Sequence, residues 1–204
     1  MDLESITNKI KDHTPAVLGH KQFMKSAVLL PLIQKTDELH VLFEVRSETM
    51  RRQPGEICFP GGRIDPQDKD PQSAAIRETT EELGISETKI SDVSPLDYLV
   101  TPFGMIVYTH AGLINTDEQF NPNLSEVEEI FTVPLSFFLE RDPEIYHVNL
   151  QVKPDKTFPF DLVPGGENYN WRTSHIDEYF YIYGGKVIWG LTARILAHFV
   201  ELMR

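Results

Sequence analysis

An α/β protein with a mixed sheet lying between helices is what this sequence supports, on three observations. Apolar runs of strand length recur between Lys25 and Leu135 with turn signals between them. A helix is signalled from Asp70 to Gly84, with Asp70 as N-cap, Pro71 at the first helical position, no proline after it and Gly84 as the left-handed stop. A long amphipathic stretch from Lys186 to Met203 repeats Ile188, Leu191, Ile195 and Phe199 at spacings of three and four. An apolar helix face needs a sheet to cover, so alternating helices and strands pack in layers.

The elements follow in order. Residues 2–12 place Leu3, Ile6 and Ile10 at helical spacing and read as a short helix, with a Pro15-containing connector after it. Lys25–Gln34 and Leu39–Arg46 read as two strands joined by a hairpin turn at Lys35-Thr36-Asp37-Glu38; Pro31 suggests an edge strand or a bulge. The polar loop from Ser47 to Phe59 ends in a short strand, Glu56–Phe59, that delivers the Gly61-Gly62 turn. Arg46, Arg51 and Arg52 have guanidinium forks suited to phosphate, against the commoner role of solvated surface arginine. Cys58, with no histidine placed beside it, reads as a packing residue.

After the central helix, Leu96–Val100 and Met105–Ile114 pair across a Thr-Pro-Phe-Gly turn, and His110 reads as a core histidine. Ile130–Leu135 is a further strand, preceded by Asn123-Leu124-Ser125-Glu126-Val127, and Leu135–Glu140 is a short helix. Tyr146–Val152 and Thr157–Leu162 read as a hairpin across Lys153–Lys156. Residues 163–183 look irregular and rich in aromatics, and residues 186–203 form the last helix. No repeat, linker or low-complexity tract divides the chain, so residues 1–204 are expected to form a single domain.

The central helix carries the chemistry. Glu78 precedes Glu82 by four residues and Glu81 by three, so the three carboxylates project from neighbouring turns. Glu81 and Glu82 stand about 100° apart around the axis. Like charges this close repel, and a solvated acidic face is the plain alternative. Hard divalent cations take oxygen ligands and would relieve the repulsion. Arg77, four residues before Glu81, is placed to orient a carboxylate by charge-assisted hydrogen bonds.

Arg77-Glu78-Thr79-Thr80-Glu81-Glu82-Leu83-Gly84-Ile85, downstream of Gly61-Gly62, resembles the signature of the Nudix hydrolases. Thr79 occupies its apolar slot. Asp68 stands five residues after Gly62 where the signature has Glu, and eight residues rather than seven separate it from Arg77. That extra residue is shared with the coenzyme A pyrophosphatase branch. The branch's upstream motif is matched by Arg46-Ser47, Arg51, Gly55 and Phe59-Pro60-Gly61-Gly62, with Phe43 where a Thr is usual. The terminal segment Ile188–Leu196 is similar to that branch as well.

The resemblance implies the Nudix fold, a mixed β-sheet sandwiched between α-helices, with the motif at residues 61–85. It implies Mg²⁺ or Mn²⁺ as cofactor, held by Glu78, Glu81, Glu82 and the carbonyl of Gly62. Either Glu126 or Glu81 would activate water, Arg77 would orient the carboxylates, and Arg46, Arg51, Gly61 and Gly62 would meet substrate. The implied reaction is water attack on phosphorus in a diphosphate, with coenzyme A or acyl-coenzyme A giving adenosine 3′,5′-bisphosphate and (acyl-)4′-phosphopantetheine. A Nudix hydrolase of NADH, ADP-ribose or a nucleotide sugar is the alternative, and a non-catalytic Nudix-fold binding module is the reading from another class.

The formal net charge of −12 argues against nucleic acid as partner, since such binding rests on Lys and Arg neutralising phosphates. No apolar run reaches the roughly 20 residues of a membrane helix. A single cysteine and the absence of a recognisable targeting segment give a cytoplasmic setting as the expectation. The expected partner is a small nucleotide substrate, and a homodimer is compatible with everything above.

Overall fold

Two strands are buried on both faces, as strands between two helical layers must be. In β1 (Met24–Gln34) Ala27, Leu29 and Leu30 are fully buried, and in β2 (Leu39–Arg46) so are Val41, Leu42 and Phe43. The structure, a computed structural model, describes residues 2–36, 38–115 and 119–204. The expected turn between these two strands includes Asp37, which lies outside the described residues.

Among the described residues the main sheet has eight strands. β3 (Ile57–Cys58), β2, β1, β7 (Met105–Ile114) and β5 (Ile90–Pro95) follow one another across it. β4 (Gly61–Arg63) pairs with β1, β6 (Leu99–Thr101) with β7, and β8 (Val127–Pro134) with β2. β1 runs parallel to β7 and antiparallel to β2, so the sheet is mixed. A second sheet orders β11 (Lys186–Trp189), β10 (Ser174–Tyr183) and β9 (Glu144–Leu150).

Alternation assigns the two faces. Ala27 and Leu29 of β1 cluster with Ala74 and Ala75 of helix α2 (Pro71–Leu83), while Leu42 of β2 clusters with Leu83. On the opposite face Leu30, Val41, Phe43 and Val107 pack with Phe138 of α3 (Leu135–Leu139) and with Ile195, Leu196 and Phe199 of α4 (Gly190–Met203). The sheet thus lies between helices, as expected. The N-terminal helix α1 (Leu3–Lys11) forms, yet buries none of its residues among those described.

Four readings of the sequence need correction. Pro31 stands in a central strand, not at an edge or a bulge. It is tolerated because β4 covers β1 at Ser26–Val28 and β2 covers it at Leu32–Gln34, so Pro31 falls in the gap between these partners, where no N–H is required. Residues 186–189 are strand β11, not helix: Gly184 and Gly185, both at positive φ, turn the chain back on β10, and Gly190 at φ 62° turns it again into α4. The segment 157–162 does not pair with β9; it holds a short 3₁₀ turn at Phe160–Leu162, and β9 pairs with β10 instead. The stretch taken as irregular is therefore partly strand, from Ser174 to Tyr183.

Gly84 positions the loop that leads to Glu126. At φ 64° it closes α2, and a Cβ there would collide with the backbone of Asn121. Asn121 N–H donates to the Leu83 carbonyl at 3.2 Å and Asn123 N–H to the Glu82 carbonyl at 3.1 Å. Gly84→Ala is therefore expected to cost about 1–3 kcal/mol in urea denaturation, from left-handed strain plus displacement of this loop. An unchanged midpoint would show that the close approach is not needed.

Candidate active site

Helix α2 is fixed first. Asp70 caps its N-terminus, accepting from Ser73 N–H at 2.8 Å and from Ser73 Oγ at 2.7 Å. Thr79, in a slot that is apolar in related signatures, is buried because its hydroxyl donates back to the Ala75 carbonyl at 2.7 Å. The buried stripe of Ala74, Ala75, Thr79 and Leu83 locks the rotation of the helix on the sheet. Glu78 and Glu82 then lie beside that stripe, and Glu81 lies outside it.

Glu82 is 5% exposed and accepts from Gly61 N–H at 2.8 Å. The Glu78 carboxylate rests on Gly62: a Cβ at that position would stand 2.5–2.7 Å from its atoms. Gly61, at φ 151°, is likewise pressed against the backbone of Ala27 and Val28. The two glycines are thus required by contacts on both sides. The Glu81 side chain is 57% exposed and touches only Arg77 among the contacts described.

Arg77 organises the acids around one guanidinium. Its Nε and Nη2 donate to the two oxygens of Asp68 at 3.0 and 3.1 Å, a two-point clamp. Nη2 also donates to the Arg63 carbonyl, and Nη1 meets Glu78 at 3.0 Å and Glu81 at 3.3 Å. The hydrogen bond from Arg77 holds the Asp68 carboxyl below its ordinary range, and the Arg77 guanidinium is correspondingly harder to deprotonate. Asp68, shorter than the usual Glu, thus occupies a working position in the longer loop.

Sequence reasoning missed Glu44. It sits on the α2 side of β2, two residues from Leu42, and is 1% exposed. Its carboxylate accepts from Cys58 Sγ at 3.2 Å. Burial, above all, pushes the Glu44 carboxyl up, and the nearby charges of Glu126 and Glu78 add to this. Burial pushes Glu82 up further, with Glu44 the largest charge against it and only the Gly61 N–H in its favour. Glu78 is raised more modestly, because Arg77 offsets its burial. Glu126 contributes to the upward shifts of Glu44, Glu78 and Glu82, so the loop tied down at Gly84 brings it within electrostatic reach of all three. The Glu126 carbonyl is held in turn by Ser47 N–H at 2.8 Å.

Four carboxylates with too few donors among them make a site that fits a divalent cation. One Glu44 oxygen has no hydrogen-bond partner among the described residues. Oxygen-rich clusters of this kind suit Mg²⁺ or Mn²⁺ rather than softer ions. Glu78 and Glu82, which lie against the Gly61-Gly62 turn, would hold one with Glu44 behind them once the side chains draw together.

A cavity of about 460 Å³ reaches the Gly61-Gly62 turn. Arg46, Gln53 and Glu56 give it polar groups, while Leu99, Phe103, Met105 and Leu191 give it apolar walls. The buried Arg46 Nε has no hydrogen-bond partner among the described residues. Arg51 is exposed in its loop and is not among the cavity-lining residues. Phe43, the departure in the upstream motif, is a core residue stacked on Phe59 and Phe131 at 5.1 and 5.4 Å. His110 is buried in β7, and the thiol of the half-buried Cys58 is held well above its ordinary range by desolvation and by Glu44.

The family model described as "NUDIX domain" matches residues 24–152. A Mus musculus protein named "Peroxisomal coenzyme A diphosphatase NUDT7" is 39% identical over 129 residues, which span 63% of this chain and 54% of that protein. This chain therefore covers about half of the mouse relative's length. A protein of Photorhabdus laumondii named "Uncharacterized Nudix hydrolase NudL" is 34% identical over 171 residues, spanning 84% of this chain and 80% of that one. A solved MutT/nudix family protein from Enterococcus faecalis superposes with a TM-score of 0.51 at 15% identity, covering 100% of this chain and 70% of the other; that likeness concerns the fold. Among the described residues no helix is long and apolar enough to cross a membrane.

Proposed function

Because the chain belongs to the NUDIX family, we propose that it hydrolyses the diphosphate linkage of coenzyme A or acyl-coenzyme A. The products would be adenosine 3′,5′-bisphosphate and (acyl-)4′-phosphopantetheine. The observation that supports this best is the placement of Glu78 and Glu82 against the Gly61-Gly62 turn that borders the cavity, with Glu44 and Glu126 in electrostatic reach of Glu82. The mouse relative's activity, as its name gives it, supports the choice of substrate. So do the apolar walls at Leu99, Phe103, Met105 and Leu191, which suit a pantetheine or acyl arm better than a second nucleoside.

Bound Mg²⁺ or Mn²⁺ would neutralise diphosphate charge and lower the pKa of water. The chain's own residues supply the rest. Glu78 and Glu82, with Glu44 behind them, hold the cation-binding oxygens at a fixed place under the glycines. Arg77 keeps Glu78 turned inward through its contact at 3.0 Å, anchored by Asp68. The glycines present backbone with no side chain between the carboxylates and the cavity, so a diphosphate can approach closely. Arg46 lines the cavity, and its guanidinium is assigned to a phosphate oxygen of the substrate. Glu126 is assigned the role of accepting the proton of the attacking water, in preference to Glu81, which is exposed and paired with Arg77.

A panel of coenzyme A, acetyl-coenzyme A, NADH and ADP-ribose, each with and without Mg²⁺ or Mn²⁺, tests this. The expected outcome is a kcat/KM for coenzyme A or its acyl form at least about tenfold above the others, a difference near 1.4 kcal/mol, with no turnover in chelator. Preference for NADH or ADP-ribose would reassign the substrate. No turnover of any compound with either metal would leave a binding module.

A further inference from the structure

The strands β9 and β10 bring together three side chains that the diphosphate site does not use. Asp177 on β10 is the register partner of His147 on β9. His175 precedes Asp177 by two residues, so all three share one face of the small sheet. His147 Nδ1 lies 2.7 Å from Asp177 Oδ1, and His175 Nε2 lies 3.5 Å from the same oxygen. The two imidazoles meet edge to face, 4.7 Å between centroids. One ligand atom from each of the three residues lies within 4.8 Å of the others.

We propose that His147, His175 and Asp177 form a second metal site, separate from the carboxylate cluster, for one ion of the Zn²⁺, Ni²⁺, Co²⁺ or Cu²⁺ class. Two imidazoles and one carboxylate are the ligand set these ions prefer, whereas Mg²⁺ keeps to oxygen. Bonds of about 2.0–2.1 Å in a tetrahedral site set ligand atoms about 3.4 Å apart. The His175–Asp177 separation already matches, and the His147–Asp177 contact opens by several tenths of an ångström. All three side chains are exposed, at 64% for His147, 55% for His175 and 43% for Asp177, so they rotate without disturbing the core.

The plain alternative is an exposed His147–Asp177 ion pair, worth little in water. Both imidazoles meet the same Asp177 oxygen and pack edge to face, so the two rings and the carboxylate already gather around one point, as ligands of a single ion would. Asp177 also lines the cavity beside the Gly61-Gly62 turn, so an ion held there stands at the wall of the substrate site.

Calorimetric titration of the tag-free full chain with Ni²⁺, in saturating Mg²⁺ to fill the oxygen-rich site, reads this directly. One equivalent of Ni²⁺ is expected to bind, with His147→Ala and His175→Ala each weakening it by tenfold or more and Asp177→Asn also weakening it. Cu²⁺ electron paramagnetic resonance should show coupling to two nitrogens in the wild type and none in the double histidine variant, with far-UV circular dichroism unchanged. Absence of Ni²⁺ binding by the wild type, or wild-type affinity in the double variant, would overturn the proposal. Neither readout involves hydrolysis, so failure here leaves the diphosphatase proposal untouched, and the reverse also holds.

Discussion

Glu82→Gln is expected to yield a folded protein that turns over coenzyme A roughly 10³-fold more slowly, a loss of about 4 kcal/mol of transition-state stabilisation. The amide retains the size of the carboxylate and keeps an oxygen for the Gly61 N–H, now 2.8 Å from Glu82. What it removes is a negative charge that the surrounding protein does not compensate. Glu82 is buried, Glu44 repels it, and one backbone N–H is its main support. Without a cation that charge is a burden, so the metal-free variant is expected to melt no lower than the metal-free wild type. The paired measurement is kcat by product chromatography and melting by scanning calorimetry. Near-wild-type kcat would remove Glu82 from the machinery; a collapse in melting temperature would make its role structural.

Arg77→Lys should cost about 10–100-fold in kcat/KM, the range seen when a group that orients metal ligands is lost. The substitution keeps the charge and loses the fork. An ammonium cannot span both oxygens of Asp68, now held at 3.0 and 3.1 Å, while also meeting Glu78. Glu78 is then free to swing outward from Gly62. A positioning role predicts that raising the Mn²⁺ concentration recovers part of the activity, since a loosened carboxylate binds metal more weakly. A purely structural role predicts a drop in folded fraction with no metal dependence. Wild-type kinetics in the lysine variant would show that charge alone suffices.

Much of the site was legible because a helix imposes its geometry on any sequence. The spacing of Glu78 and Glu82 places both beside the stripe of Ala75, Thr79 and Leu83, and there the structure buries Glu82 and half-buries Glu78. The same spacing did not separate Glu81 from them. Only the depth to which α2 sinks into the sheet does that, and this depends on small residues, Ala27 and Ala74, meeting across the interface. Glu44 was legible in principle: a lone acid within Leu-His-Val-Leu-Phe-Glu-Val is costly unless something needs it. It escaped because a strand of unknown partners gives no hint of which face the acid shares. In the structure Leu42 and Glu44 face α2 while Val41 and Phe43 face α4.

The strands were harder to place. β11 was hidden because Ile188 fits a helical repeat with Leu191 as well as it fits a strand, and the deciding features are the left-handed glycines at 184, 185 and 190. The pairing of β9 with β10 spans about thirty residues from His147 to Asp177, so no local turn signal announces it. The His147, His175 and Asp177 cluster was invisible for the same reason. The upstream arginines divide: Arg46 closes β2 and is carried into the cavity by the sheet, whereas Arg51 sits on a loop that holds it in solvent.

The central claim is that a divalent cation resolves the mutual repulsion of the buried Glu82 and half-buried Glu78 beneath two glycines. Anomalous diffraction from crystals soaked in Mn²⁺ examines it with the fewest intermediate steps. The account predicts a manganese peak bonded to Glu78 and Glu82 at the face of Gly62, lost in Glu82→Gln crystals treated alike. Manganese density only at solvent-exposed acids such as Glu81, with Glu78 and Glu82 unchanged and metal-free at saturating Mn²⁺, would contradict it.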